Sequence, residues 1–187
     1  MFLKLIVNFC VFIRADVYEI YLRHLFLKVR EEKYRKKYSR NLKLINQGGG
    51  SIEISGDPKR FKFGVGSHIK SNTFIECSGG VVIGDYFHTG RGLTIFSTSH
   101  NWKSNKKLPY DEETLIRPVS IGNYVWLGAN VTILPGAIIG DGVVVAAGSV
   151  VRGVVAERAV VSGNPAAVIA FRDEYEYLKL LDGKKFF

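Results

Sequence analysis

Cysteine is nearly absent: of 187 residues only Cys10 and Cys77 are cysteines, one in a helical-looking segment and one in a repeat. That leaves no disulfide framework and no metal-type spacing of thiols, and a reducing cytoplasm is the simplest expectation. Proline is scarce too, at 5 residues against 20 glycines. This excludes a collagen-like or proline-rich disordered chain and points to many tight backbone turns. No apolar run approaches the roughly 20 residues needed to span a bilayer. Met1 to Ile13 is apolar apart from Lys4 and Asn8, but it is short, lacks a basic n-region and a small-residue cleavage site, and ends at Arg14 and Asp16 around Ala15. Neither a transmembrane helix nor a signal peptide is expected. There is no Walker motif and no dinucleotide fingerprint opening a helix, so nothing argues for ATP or NAD.

Acidic residues are also in deficit, 17 against 26 lysines and arginines, for a net charge of +9. Spread over one face, this excess would suggest a nucleic-acid, membrane or phosphate partner. It is instead local: Arg23, Lys28, Arg30, Lys33, Arg35, Lys36, Lys37, Arg40 and Lys43 face only Glu31 and Glu32. No nucleic-acid role is expected.

The length supports one domain with appendages. Apolar residues recur at helical intervals before residue 44 (Val17, Ile20, Tyr21, then His24 and Leu25) until Gly48-Gly49-Gly50 breaks the pattern. Residues 1–47 therefore form an N-terminal amphipathic helical segment. Beyond the glycines one phrase returns, aliphatic, Gly, two mostly polar residues, apolar, at Val65-Gly66, Ile83-Gly84, Ile121-Gly122 and Ile139-Gly140, with eighteen residues from Val65 to Ile83 and from Ile121 to Ile139. Within the later coils an aliphatic returns every six residues, at Ile121, Leu127, Ile133, Ile139, Val145 and Val151, with small or aliphatic companions at Val125, Val131, Ala137, Val143, Ser149 and Val155. A step of six, three to a coil, predicts short strands wound into a triangular all-β solenoid over 48–169. A period of six does not fit 3.6, and β-branched residues with glycine are poor helix formers. The phrase expected at 101 reappears only at Ile121, so a loop of about one coil, roughly residues 99–118, projects from the solenoid. Residues 170–187 read as a C-terminal helix and tail, with Phe171, Tyr175 and Leu178 on one stripe, packed across the solenoid end.

General crossover preference would favour a right-handed coil. Resemblance points the other way. The run Val125-Trp126-Leu127-Gly128-Ala129-Asn130-Val131-Thr132-Ile133-Leu134-Pro135-Gly136, followed by Ser162-Gly163-Asn164-Pro165-Ala166, resembles the hexapeptide-repeat acetyltransferases, particularly the maltose/galactoside branch and its surface-polysaccharide relatives. The likeness covers about 65–172 and implies a left-handed parallel β-helix, a homotrimer, and acetyl-CoA as acyl donor.

Acetyl transfer from a thioester to an alcohol needs a base near neutral pH and a donor for the tetrahedral oxyanion. Of the four histidines, His24 lies in the basic segment and His68 and His88 fall near solenoid corners. His100 opens the inserted loop, where the family places its catalytic histidine. The family usually continues with proline, whereas this chain has Asn101, as some surface-polysaccharide enzymes do; Asn101 is therefore an acceptor-binding candidate. Asn72, one coil back, matches an acceptor-contacting asparagine, and it suits a solenoid corner equally. By the same resemblance Trp126 lines the donor channel beside Gly128, the Ala129 backbone N–H faces the thioester oxygen, and Ala147 and Gly148 contact coenzyme A. Arg152 approaches the nucleotide end. Relatives carry Lys or Arg where this chain has Ala167, and Arg158 or Arg172 are the substitutes. No metal is required, and the His-x4-His zinc pattern of carbonic anhydrases sharing the fold is missing.

The expected activity is O-acetylation of a sugar hydroxyl in surface-polysaccharide or O-antigen biosynthesis. N-acetylation of an amino sugar is the alternative within enzymes, and a non-catalytic scaffold the alternative outside them. Residues 1–43, apolar then basic, either pack on the trimer or make a peripheral contact with the inner face of the cytoplasmic membrane.

Overall fold

The computed structural model describes residues 2–187; Met1, the first residue of the expected helical segment, lies outside them. Short parallel strands wind into a left-handed β-helix of triangular section. One face stacks Ile69–Lys70, His88–Thr89, Trp126–Leu127, Val144–Val145 and Ala159–Gly163 over Leu44–Ile45. The second stacks Ile52–Ser55, Thr73–Glu76, Thr94–Phe96, Thr132–Ile133 and Val150–Val151, and the third Phe61–Phe63, Val81–Ile83, Val119–Ile121, Ile138–Ile139 and Val154–Val155. The chain visits first, second and third face in turn; corner I joins first to second, corner II second to third, corner III third to first.

All twelve positions of the six-residue repeat point inward and are buried, from Ile121 at 1% exposed to Val155 at 8%. Full burial of each aliphatic side chain contributes about 1.5–3 kcal/mol, and this column makes a continuous core along the solenoid. The consensus glycine serves close approach rather than unusual dihedrals: a Cβ on Gly84 would strike the Gly122 backbone, and one on Gly122 or Gly140 the coil above. Left-handed backbone falls two residues later, at Tyr86, Tyr124 and Arg158 on corner III, and at Asn72 and Asn130 on corner I.

The register corrects the expected first repeat. Phe63 pairs with Ile83, His68 with His88 and Ile75 with Ile95, twenty residues apart. Eighteen holds for Ile121 with Ile139 and Leu127 with Val145. The partner of Ile83-Gly84 is therefore Phe63-Gly64; Val65-Gly66 matches the phrase but lies outside the core. The two extra residues widen corner II, where eight residues rather than six separate Ile75 from Ile83.

The first coil begins at Leu44, earlier than the glycines suggest. Before it stand α1 (Phe2–Phe12) and α2 (Ala15–Lys37). The second half of α2 closes the N-terminal end of the solenoid, where strand edges would otherwise be bare. Tyr38 is buried, its hydroxyl donates to the Ile54 carbonyl at 2.9 Å, Arg30 donates to the Ile52 carbonyl at 3.1 Å, and Glu31 accepts from the Leu44 N–H at 3.0 Å.

The C-terminal segment departs from expectation. Ala166–Phe171 is a strand folded back antiparallel on Ala159–Gly163, and α3 (Glu174–Asp182) starts only where Asp173 caps the Glu176 N–H at 2.9 Å. Tyr175 and Leu178 face solvent. Tyr177 takes the inner side, over Gly142, because the returning strand directs the helix along the flank of the first face rather than across the end. Phe186 then lies on the stacked rings of Tyr86 and Tyr124.

Candidate active site

The inserted segment is a β-hairpin rather than an irregular loop. Thr98–His100 pairs antiparallel with Thr114–Ile116, placing His100 opposite Thr114. Its root is fixed at corner II by Glu76. That carboxylate accepts from the Ser97 N–H at 3.1 Å and the Thr98 hydroxyl at 3.0 Å, and the buried Ser97 hydroxyl also accepts the Gly79 N–H at 2.9 Å. Burial works against the Glu76 charge, but hydrogen bonds from Ser78, Ser97 and Thr98 outweigh it and hold the carboxyl below its usual range. Further out, Asp111 accepts from the Glu113 N–H at 2.9 Å and the Asn101 amide at 3.1 Å. Hydrogen bonds, that from Ser104 first, keep Asp111 ionised below the ordinary range. The exposed His100 ring stacks on Tyr110, 3.9 Å between centroids and 9° from parallel. The imidazole is thus aimed by a side chain ten residues further on.

Corner I carries the second constellation. Trp126 stands outward from the first face, 55% exposed, between His88 and Val144 in the ladder. Gly128 and Ala129 follow at the corner, with Ala147 and Gly148 one coil above; the Gly148 N–H donates to the Ala129 carbonyl at 2.8 Å. Among the described residues no acceptor takes the Ala129 N–H. A Cβ on Gly90 would lie 2.6 Å from that nitrogen, and one on Gly128 2.5 Å from the Ala147 nitrogen. Glycine at 90 and 128 keeps these two amides uncovered. Asn72 stands on the same corner with φ 58°, and its side chain fills the place a Cβ on Gly50 would need.

The other candidates separate by corner. Arg152 sits at corner II, lining a depression with Ser99, Trp102 and Arg117 above the root of the hairpin. Arg158 and Arg172 sit at corner III and hold the C-terminal segment: Arg158 pairs with Glu174 at 3.3 Å, and Arg172 donates to the Gly142 carbonyl at 2.6 Å. Both N–H groups of the Asn101 amide are spent within the hairpin, on Asp111 and on Glu113 at 3.2 Å, leaving its carbonyl oxygen for a ligand. His100 and Ala129 stand at opposite ends of the second face, so one chain does not bring base and amide together.

Sequence reasoning missed Glu76, Tyr110 and the histidine pair. His68 and His88 are not solvated corner residues: their rings lie 4.2 Å apart, tilted by 39°, on the first face, His68 is 8% exposed, and His88 lies next to Trp126. Burial first, then the charges of His88, Lys70 and Lys43, push His68 down to about 4; burial also lowers His88, with Lys70 and Lys43 adding. Counting twenty rather than eighteen residues per coil aligns this pair, as it aligns Glu76 with Phe96 just before Ser97.

Residues 118–153 match the family described as bacterial transferase hexapeptide (six repeats). WbbJ of Escherichia coli (strain K12), provisionally named a lipopolysaccharide biosynthesis O-acetyl transferase, is 37% identical over 169 residues, 75% of this chain and 85% of its own. Among solved structures, a maltose O-acetyltransferase from Clostridium difficile 630 superposes with a TM-score of 0.67 at 25% identity, covering 88% of this chain and 89% of its own. A hexapeptide-repeat acetyltransferase of Vibrio cholerae O1 biovar eltor, complexed with acetyl coenzyme A, gives a TM-score of 0.61 at 26% identity over 74% of each chain.

Proposed function

Because this chain belongs to the hexapeptide-repeat acetyltransferase family and is an acetyl-CoA-dependent acyltransferase, we propose that it acetylates a sugar hydroxyl of a surface polysaccharide or its precursor, with His100 as general base. The observation that carries this reading is the pairing of a stacked, exposed imidazole on a clamped hairpin with an uncovered backbone amide beside Trp126. His100 takes the hydroxyl proton as the oxygen attacks the thioester carbonyl carbon. A C–O bond forms, and the resulting oxyanion accepts from the Ala129 N–H. Collapse breaks the C–S bond, and the departing thiolate receives the proton back from His100, giving the acetyl ester and free coenzyme A.

A homotrimer completes the site in this reading. Corner II of one copy, with His100 and Arg152, faces corner I of the next, with Trp126, Gly128, Ala129, Ala147 and Gly148. Asn72 and the Asn101 carbonyl flank the acceptor, and Arg152 approaches the nucleotide end across the interface. Arg158 and Arg172 are already engaged with the C-terminal segment and act, if on the donor, from its outer side. Changing His100→Ala lowers turnover by about two to four orders of magnitude while coenzyme A binding, measured by calorimetry, stays within threefold. Turnover within threefold of the parent overturns the assignment.

The enzyme works in the cytoplasm against the inner membrane leaflet. Leu3, Leu5, Phe9, Val11 and Phe12 of α1 are mostly exposed, and the cations of α2 follow directly. An apolar helix beside a basic one suits an anionic bilayer, each cation near the surface contributing about 1 kcal/mol. Among the described residues no helix is long and apolar enough to cross a membrane, so the contact is peripheral.

A further inference from the structure

Below Ala129, on the side away from Ala147, corner I opens into a groove of about 380 Å³. Its floor is Gly48, Gly90, Gly128 and Ala129, and its walls are Gln47, Lys70, Arg91 and Trp126. No carboxylate lines it. Lys70 and Arg91 are half-buried, and neither they nor neighbouring Lys43 are ion-paired among the described residues, whereas Arg23, Lys28, Lys36, Arg60, Lys107 and Arg158 all are. The Arg91 guanidinium lies against Gly48 at corner I, and Lys70 lines the same groove from the end of the first face, with Lys43 preceding the strand that pairs with Ile69–Lys70. After burial, the charges of Lys70 and Lys43 help to suppress protonation of the His68–His88 pair. Holding unmatched cations half out of water is costly unless an anion arrives.

This argument rests on the proposed reading that the thioester lies at Ala129 and coenzyme A extends toward Ala147 and Gly148. The cations then sit on the acceptor side. We infer that the acceptor is a sugar carrying a phosphate or diphosphate ester, held by Lys70 and Arg91, rather than a neutral free sugar. A nucleotide-linked and a lipid-linked sugar share this chemistry.

Inorganic pyrophosphate serves as the probe. It is titrated into the full-length protein saturated with coenzyme A, and into Lys70→Gln and Arg91→Gln variants whose melting temperatures are checked. The expected result is pyrophosphate binding that persists with coenzyme A present and weakens at least tenfold in either variant, coenzyme A affinity staying within twofold. Pyrophosphate that competes with coenzyme A, variants that lose coenzyme A instead, or no pyrophosphate binding by a protein that binds coenzyme A normally would each overturn the inference. Failure to bind coenzyme A at all strikes the proposed function itself. Acetyl transfer to a hexose, its 1-phosphate, its nucleoside diphosphate and its polyprenyl diphosphate then separates the carriers, and equal rates with the free hexose also overturn the inference.

Discussion

Two dead variants of this protein should restore each other. His100→Ala removes the base from corner II, and Ala147→Trp places a bulky ring on corner I, at an exposed position where the backbone needs no adjustment. Each alone should lower turnover by at least about a hundredfold. If base and donor wall come from different chains of a cyclic trimer, co-expression in equal amounts gives mixed rings in about three quarters of assemblies. Each mixed ring has one interface in three that joins an intact His100 to an intact corner I. About a quarter of parent activity per site should therefore return. The assay is thiol release from acetyl-CoA with a sugar acceptor, on the unfractionated co-expressed protein, and mixed trimers purified through two different tags should reach about a third. Activity no higher than the sum of the two variants made separately refutes an intersubunit site.

The histidine pair makes stability depend on pH with a definite sign. His68 titrates near 4 in the fold and His88 below its ordinary value, while the unfolded chain protonates both at about 6.5. Their stabilising contribution is full above that value and is lost as pH falls toward 4. The loss from His68 is at most about 3 kcal/mol, and His68→Leu should flatten the fall in melting temperature between pH 6.5 and 4; an unchanged slope contradicts the assignment. Glu76→Ala leaves Ser97 and Thr98 without their acceptor, so a loss of about 1–3 kcal/mol and a fall in turnover are expected, with Glu76→Gln recovering part of both in a melting and rate comparison. Vesicles containing anionic lipid should bind the intact protein at low salt and release it as salt rises, and deletion of residues 1–13 should abolish binding without changing the trimer mass. Intact protein that ignores such vesicles, with a deletion that aggregates, assigns α1 to packing between copies.

Legibility followed the strictness of the repeat. Between Ile121 and Val155 every inward position could be read off because the side chains stack with no slack. It failed where two residues widen corner II, since a local phrase cannot reveal its own offset: Val65-Gly66 imitates a coil start, and the eighteen-residue count then hid the pairing of His68 with His88. The hairpin pairing was hidden because Thr98–His100 and Thr114–Ile116 are three-residue strands without strong alternation. At the C-terminus an aromatic stripe looked helical, but Phe171 belongs to the returning strand. Residues before 44 posed a different problem: Leu27, Tyr34 and Tyr38 pack on the core, so only α1 can be removed without uncovering it.

The corner geometry also bears on why the proposed chemistry falls at one level of a repetitive solenoid. Corner I leaves the N–H groups of Arg91, Ala129 and Ala147 without protein acceptors, coil after coil. An open amide alone is thus a product of the winding. At Arg91 the register puts Lys70 where the next two coils have Gly90 and Gly128. At Ala147 the amide is open over Gly128, but Val144 stands in place of the tryptophan and the hairpin lies two coils below. In the proposed reading Ala129 combines an uncovered amide with the adjoining Trp126 wall, and the hairpin that bears His100 leaves corner II one coil below, between Phe96 and Val119. Two of these features are substitutions within the repeat and the third is an interruption of it, so the proposed chemistry draws on the places where the pattern is broken at corner II and stripped to glycine at corner I.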